Sequence, residues 1–357
     1  MSERLRVLVA GMVAGDPNQG GAAWAVLQYV LGLRRLGHHV YLVEPVDKPS
    51  DETRDYFDAV VKPFGIDGEL LTQPRQLEGF DVVLNISGML APDVIASAPL
   101  RVYLDLDPAF NQFWQEAGIN RGFEGHTHFA TVGLAIGFDG CDVPTHGRSW
   151  IPTLPPVVLD EWPRANGIAV DALTTVGNFR GYGSIERAGV QYGQKVHSLR
   201  RLIGLPGRTH ERFILAMAVH PDEQQDLAAL EANGWELIDP VAASGTPAAY
   251  RDFVRGSRAE IGIAKAGYVI SRCGWFSDRS ACYLASGRPV VAQDTGFSRF
   301  LPVGAGLLAF GDENGAVEAV AELGRDYPRH AQAAWELAKE YFDSDRVLTK
   351  LLEELAS

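Results

Sequence analysis

The feature that most constrains this chain is the alternation with which it begins. Residues 6–10 (RVLVA) form a short apolar run rich in valine and leucine. A loop follows at 11–21, rich in Gly, Asp, Pro and Asn. Residues 22–36 then carry apolar side chains at helical spacing: Trp24, Leu27, Val30, Leu31 and Leu36. Gly37 stops that pattern, and 39–44 is a second apolar run. Strand, glycine loop, helix, strand is the opening of a doubly wound α/β domain.

The alternation continues and then restarts. Residues 81–87 and 101–105 read as further strands, and 127–131 as a weaker one. Residues 144–163 contain five prolines: Pro144, Pro152, Pro155, Pro156 and Pro163. Such a stretch between two α/β patterns is a linker candidate. Beyond it, strands are expected at 173–176, 213–219, 235–238, 261–264 and 289–292. Helices are expected at 186–203, 222–233, 246–255, 278–286 and 315–323. Residues 329–355 read as helical with a polar interruption at 343–345. The expected fold class is therefore α/β, two Rossmann-like doubly wound domains facing across a cleft. The expected units are 1–155, 156–330 and a terminal helical segment, 331–357, that packs back on the first domain.

Composition limits the partners. The chain has 32 basic and 45 acidic residues, a formal net charge of −13. That disfavours broad binding to nucleic acid or to an anionic membrane, both of which need a positive field. A local basic pocket for a phosphate-bearing ligand stays open. Cys141, Cys273 and Cys282 form no CxxC pair, so neither a disulfide framework nor a structural zinc site is expected. No apolar run reaches the length of a membrane span, and a cytoplasmic placement is expected.

Four groups of residues could carry chemistry. The loop at 11–21 ends in Gly20 and Gly21 before a helix, where backbone can approach a ligand and free amides attract anions. It matches neither GxGxxG nor GxxxxGK[ST], so a tight turn and a ligand-facing loop are both open. The second group is the stretch 271–294. It offers Arg272 and Arg279 for a pyrophosphate, Gly274 in a turn, Ser277 or Asp278 at a helix start, and Asp294 after a strand. Asp107 and His126 lie near strand ends in the first half and could serve as a general base. Arg180, Lys195 and Lys265 in the second half could balance phosphate charge, with Lys265 best placed at a strand's carboxyl end. Lys195 reads equally well as part of a solvated helix face. No HExxH occurs, and no metal or cofactor is expected.

Cys273, Gly274, Trp275, Ser277, Gly287 and Pro289 resemble the donor-binding segment of the GT-B glycosyltransferases, the two-Rossmann-domain enzymes that use nucleotide sugars. The Gly-Gly pair before a helix and the Leu36–Val40 text are also similar to that fold. Two departures stand out. Arg272 occupies the place of the phosphate-binding histidine, and Ser280 that of the ribose-binding glutamate. The resemblance implies a metal-independent transfer from a nucleotide-diphosphate sugar to an acceptor hydroxyl. It places the donor around Arg272, Gly274, Ser277, Asp278, Arg279 and Asp294, and the acceptor near Gly20, Gly21, Asp107 and His126. A nucleotide-sugar epimerase, a non-catalytic nucleotide-sugar-binding protein and a nicotinamide oxidoreductase are the alternatives.

Overall fold

The computed structural model describes residues 4–356. Its first half is a seven-stranded parallel sheet: β1 (Arg6–Ala10), β2 (His39–Pro45), β3 (Asp67–Leu71), β4 (Val82–Ile86), β5 (Leu100–Asp105), β6 (His128–Thr131) and β7 (Trp150–Pro152). The order is β3-β2-β1-β4-β5-β6-β7. β1 thus lies between β2 and β4, with Val7 opposite both Val40 and Val82. That is the point where the winding reverses, and ligands of such sheets bind beyond the carboxyl ends of the strands there. Val7, Leu8, Val9 and Ala10 are all fully buried, because helices cover both faces. This is why the run is continuously apolar rather than alternating.

The second half repeats the plan. β8 (Val170–Asn178), β11 (Phe213–Ala218), β12 (Trp235–Ile238), β13 (Ser257–Gly262), β14 (Val290–Gln293) and β15 (Leu307–Phe310) form a parallel sheet ordered β12-β11-β8-β13-β14-β15. Its reversal lies between β8 and β13. A small antiparallel hairpin, β9 (Ile185–Arg187) and β10 (Val190–Tyr192), follows β8. The expected helix at 186–203 is therefore corrected: only Lys195–Arg201 is helical there. Ala188 and Gly189 both have positive φ, 50° and 76°, and form the two-residue hairpin turn.

The two halves are joined by continuous packing. Helix Gly20–Arg35 of the first domain lies against helix Pro247–Gly256 of the second. The Trp24 indole N–H donates to the Pro247 carbonyl at 2.7 Å, and the Tyr56 hydroxyl to the Gly245 carbonyl at 2.7 Å. Trp162, from the proline-rich connection, packs edge-on to Trp24 with centroids 5.1 Å apart. After a π-helical turn at Ala338–Phe342, the terminal helix Ser344–Leu355 returns to helix Gly20–Arg35. A Cβ on Gly32 would lie 2.5 Å from Leu348, so glycine lets these two helices touch. Arg35 holds Asp345 at 3.0 Å and also pairs with Asp160.

Candidate functional site

The carboxyl ends of the two sheets face one another, and the space between them has two connected lobes. The first, about 370 Å³, lies over the ends of β8 and β11. Val176, Gly177, Asn178, Ala216, Ala218, Val241 and Ser244 line it from the second domain, and Gln19 and Gly21 from the first. The second lobe, about 430 Å³, lies toward the first domain and is reached past Gln19, Ala22, Asn178 and Asp278, which line both.

Two basic side chains stand at the base of the first lobe, Arg279 in its lining and Lys195 behind Gly177. Lys195 opens the helix that follows the hairpin, and its chain is only 8% exposed. It makes no hydrogen bond or ion pair among the described residues. Burial pushes its pKa well below the ordinary lysine value, and the neighbouring Arg279 charge adds to that, while Glu260 partly offsets it. Its ammonium lies where a Cβ on Gly177 would come within 2.5 Å. Gly177 therefore leaves the room that this cation occupies. Arg279, in helix Asp278–Ala285, donates to the fully buried Glu260 at 2.5 Å and to the Val176 carbonyl at 2.8 Å. Arg279 is thus oriented by a carboxylate from β13 and by the end of β8, while still lining the lobe. Lys195 is a buried cation without a partner, a costly arrangement in a folded protein unless an anion arrives. Of the two open readings of Lys195, the solvated helix face is not the one built: its helix starts beneath the β8 loop, and local periodicity carries no record of that.

The second lobe contains a clamp between the domains. Asp107 follows β5 of the first domain. Lys265, after β13 of the second, donates to its Oδ1 at 3.0 Å, and the Tyr182 and Tyr268 hydroxyls donate to the same carboxylate. Lys265 also lies over the Tyr182 ring, 4.2 Å from its centroid. Burial lowers the Lys265 pKa, and Asp107 partly restores it. Asp105 is the reason Asp107 stands where it does. Fully buried, it accepts from Asn111 at 2.7 Å, Gln112 at 2.8 Å, Thr131 at 2.9 Å and the Asp107 amide at 3.0 Å. Those bonds fold the chain after β5 into a fixed turn. Asp278, where the lobes meet, has its pKa raised, chiefly by burial, with Arg279 opposing.

The other sequence-derived candidates fall elsewhere. The amides of the glycine loop are not free. Glu44, buried at the end of β2, accepts from Val13 at 3.1 Å, Ala14 at 2.8 Å and Gly15 at 2.7 Å. The protein's own carboxylate fills that anion nest, so of the two open readings the turn is the one built. Gly20 is a packing glycine, since a Cβ there would collide with the Thr246 carbonyl; Gly21 packs under the Tyr250 ring and lines the first lobe. Gly274 has φ +77° and fits against Leu134 and Ala135 of the first domain. Ser277 is buried at the N-cap of helix Asp278–Ala285 without a side-chain capping bond. Asp294 accepts from Gly296 and Ser298 and closes its own turn. Arg180 pairs with Glu223 at the surface. Arg272 is exposed in a left-handed turn at φ +50°, away from both lobes. His126 packs against Tyr103 and Phe129, its Nε2 3.0 Å from the Asn85 amide nitrogen, and burial lowers its pKa.

The structure brings together Lys195, Arg279, Asp278, Lys265 and Asp107. It is matched over nearly its whole length by solved proteins. A glycosyltransferase from Rickettsia africae aligns over 99% of this chain and 98% of its own, at 12% identity and a TM-score of 0.57. An alpha-glucosyltransferase in complex with UDP aligns over 99% and 100%, at 11% identity and 0.64. The Anabaena protein HepE, in complex with UDP and glucose, aligns over 99% and 100%, at 13% identity and 0.62. The fold is that of the GT-B glycosyltransferases. No protein-family model matches the sequence, and no curated protein matches it. At such identities the GT-B likeness is one of architecture: two Rossmann-like sheets with a cleft between their carboxyl ends. Among the described residues no helix is long and apolar enough to cross a membrane, and no cluster of three His, Cys, Asp or Glu could hold a metal ion.

Proposed function

We propose that this protein is a glycosyltransferase that moves a sugar from a nucleoside-diphosphate sugar to an acceptor hydroxyl. The observation that carries the reading is Lys195, unpartnered and buried behind Gly177 at the carboxyl end of the central strand of the second sheet, next to a lobe that Gly177 and Arg279 line. A diphosphate supplies the missing counter-charge at the winding reversal, where such folds take their ligands. UDP in two of the matched structures supports that choice of anion. None of the matched structures named above is an epimerase.

In this reading the first lobe takes the nucleotide, with Lys195 and Arg279 on the phosphates. The apolar wall at Ala216, Ala218 and Val241 faces the base. The sugar reaches toward Asp278. The acceptor oxygen bonds to the anomeric carbon as the bond to the diphosphate breaks. The nucleoside diphosphate leaves with its charge held by the two cations. Asp278 takes the acceptor's proton; a carboxyl whose pKa is raised is a better base than an ordinary one. Asp107, already saturated by Lys265, Tyr182 and Tyr268, positions the two domains. The cations do the work that a metal does elsewhere, so turnover should persist in a chelator.

Release of nucleoside diphosphate from a panel of nucleotide sugars tests this. The wild type should turn over at least one donor, with Asp278→Asn about 100-fold slower and binding it equally well. Equal rates in the two proteins would remove Asp278 from the reaction. A second reading, a non-catalytic binder, is favoured by Ser280. It is buried and lines neither lobe, leaving no carboxylate at the place of the ribose glutamate. Nucleotide-sugar binding with no turnover would establish that reading instead.

A further inference from the structure

The second lobe has a chemistry of its own. Its first-domain wall carries Met12, Ala22, Ala25, Leu106 and Val132 beside the polar Gln19, Gln28 and Ser87, and Pro155 and Pro156 extend it from the connection. Trp275 and Phe276 face them from the second domain. Among the described residues no lysine or arginine of the first domain lines it. Its one cation, Lys265, is committed to Asp107. The remaining charged group, Asp278, is acidic.

One buried polar group at its edge lacks a partner. Tyr29 lines the lobe from helix Gly20–Arg35, is 1% exposed, and its hydroxyl has no hydrogen-bond partner among the described residues. Burial raises its pKa, and the nearby Asp278 charge raises it further, so the hydroxyl stays protonated. A buried O–H without an acceptor costs about 1–3 kcal/mol, and a guest that offers an oxygen recovers it.

We infer that the second lobe takes a neutral, largely apolar, hydroxyl-bearing small molecule, and that Tyr29, whose hydroxyl is closed off in the free protein, turns to donate a hydrogen bond to an oxygen of that molecule. The volume of about 430 Å³ lies in the range that encloses small organic ligands. Phosphorylated acceptors and nucleic acid are excluded by the same wall. A phosphate there would lose its hydration beside Asp278 and Asp107 with no free cation in reach. A free hexose would find few free partners for its several hydroxyls, because the Gln28 amide is bonded to Val158 and Cys282 and that of Gln19 to Asp16, which leaves Ser87 and Asn178 beside a mainly apolar wall. The term acceptor for this guest rests on the glycosyltransferase reading; its chemistry rests on the lining.

The test is direct binding by calorimetry to the full chain, with and without UDP. The probes are β-naphthol, β-naphthyl phosphate, glucose and a short DNA duplex. β-Naphthol should bind at least ~10-fold more tightly than each of the other three, since only it needs no buried charge or unmet hydroxyl. Tyr29→Phe should weaken it about 5-fold, the loss of one hydrogen bond. Met12→Lys, at a position 39% exposed and so tolerant of the change, should narrow the preference over β-naphthyl phosphate. Equal or tighter binding of the phosphate, glucose or duplex would overturn the inference, as would no β-naphthol binding. An unchanged preference in Met12→Lys would also count against it. UDP is a separate readout. If β-naphthol binds and no nucleoside diphosphate does, the donor reading fails and the chemistry of the lobe stands. If UDP binds and β-naphthol does not, the reverse holds.

Discussion

Replacing Lys195 by methionine should weaken diphosphate binding and stabilise the protein at once. The side chains are of similar length, so packing beneath Gly177 is retained while the charge is removed. A unit cation about 4 Å from a unit of phosphate charge gains about 4 kcal/mol at an effective dielectric of 20. Net contributions of charge-assisted hydrogen bonds are smaller, about 1.5–3 kcal/mol. Lys195 is already stripped of water, which places it in the upper part of that range. A loss of about 2–3 kcal/mol corresponds to about 30- to 150-fold weaker UDP. Without ligand the sign reverses. Glu260 is engaged by Arg279 at 2.5 Å and cannot fully compensate a second cation. Removing that charge should gain about 1 kcal/mol or more. The assay is thermal unfolding with and without saturating UDP, beside calorimetric affinities. The apo midpoint should rise by about 2 °C and the UDP-induced shift should shrink. A lower apo midpoint with unchanged UDP affinity would refute the reasoning, because Lys195 would then be a structural residue.

Gly177→Ala places a methyl where the Lys195 ammonium now lies, so UDP should weaken about 10-fold in the same calorimetric assay. Gly20→Ala drives a Cβ into the Thr246 carbonyl, which is backbone and cannot yield; unfolding should report a loss of about 2–3 kcal/mol. Arg272→Ala should leave UDP affinity within about 2-fold, as expected for an exposed side chain away from the lobes. Binding should also be linked to protons. The Lys195 pKa is lowered in the free protein, and a bound diphosphate raises it. Between the two values UDP binding takes up a proton, and affinity falls as pH rises through that window. Calorimetry in buffers of different ionisation enthalpy measures the uptake, and none at any pH would contradict the assignment.

The architecture was legible because it is written in local pattern. Runs such as Val7–Ala10 and Phe213–Ala218, each followed by helical spacing, announce parallel strands covered on both faces. The hairpin at Ile185–Tyr192 was missed because Ala188–Gly189 is a weaker turn signal than Asn-Gly, and the flanking runs are only three residues long. The site was legible in part. Asp278, Arg279, Lys265 and Asp107 follow strand ends or start helices, and those places can be read from the chain. Arg272 shares the 271–294 stretch with Asp278 and Arg279, but its left-handed turn carries it outward, and a single dihedral is not visible in a residue string. The burial of Lys195 and the role of Glu44 are not legible in the sequence, for a different reason. Each acts on a segment distant in sequence: Lys195 beneath Gly177, and Glu44 on amides 29–31 residues earlier. Only the folded chain brings such pairs together.

The most direct measurement is a crystal structure of the wild-type chain with UDP. The diphosphate should lie in the first lobe, with oxygens within hydrogen-bond distance of the Lys195 ammonium and the Arg279 guanidinium, and the base against Val241. UDP bound instead beside Arg272 and Asp294, with Lys195 untouched, would contradict the assignment of the donor site.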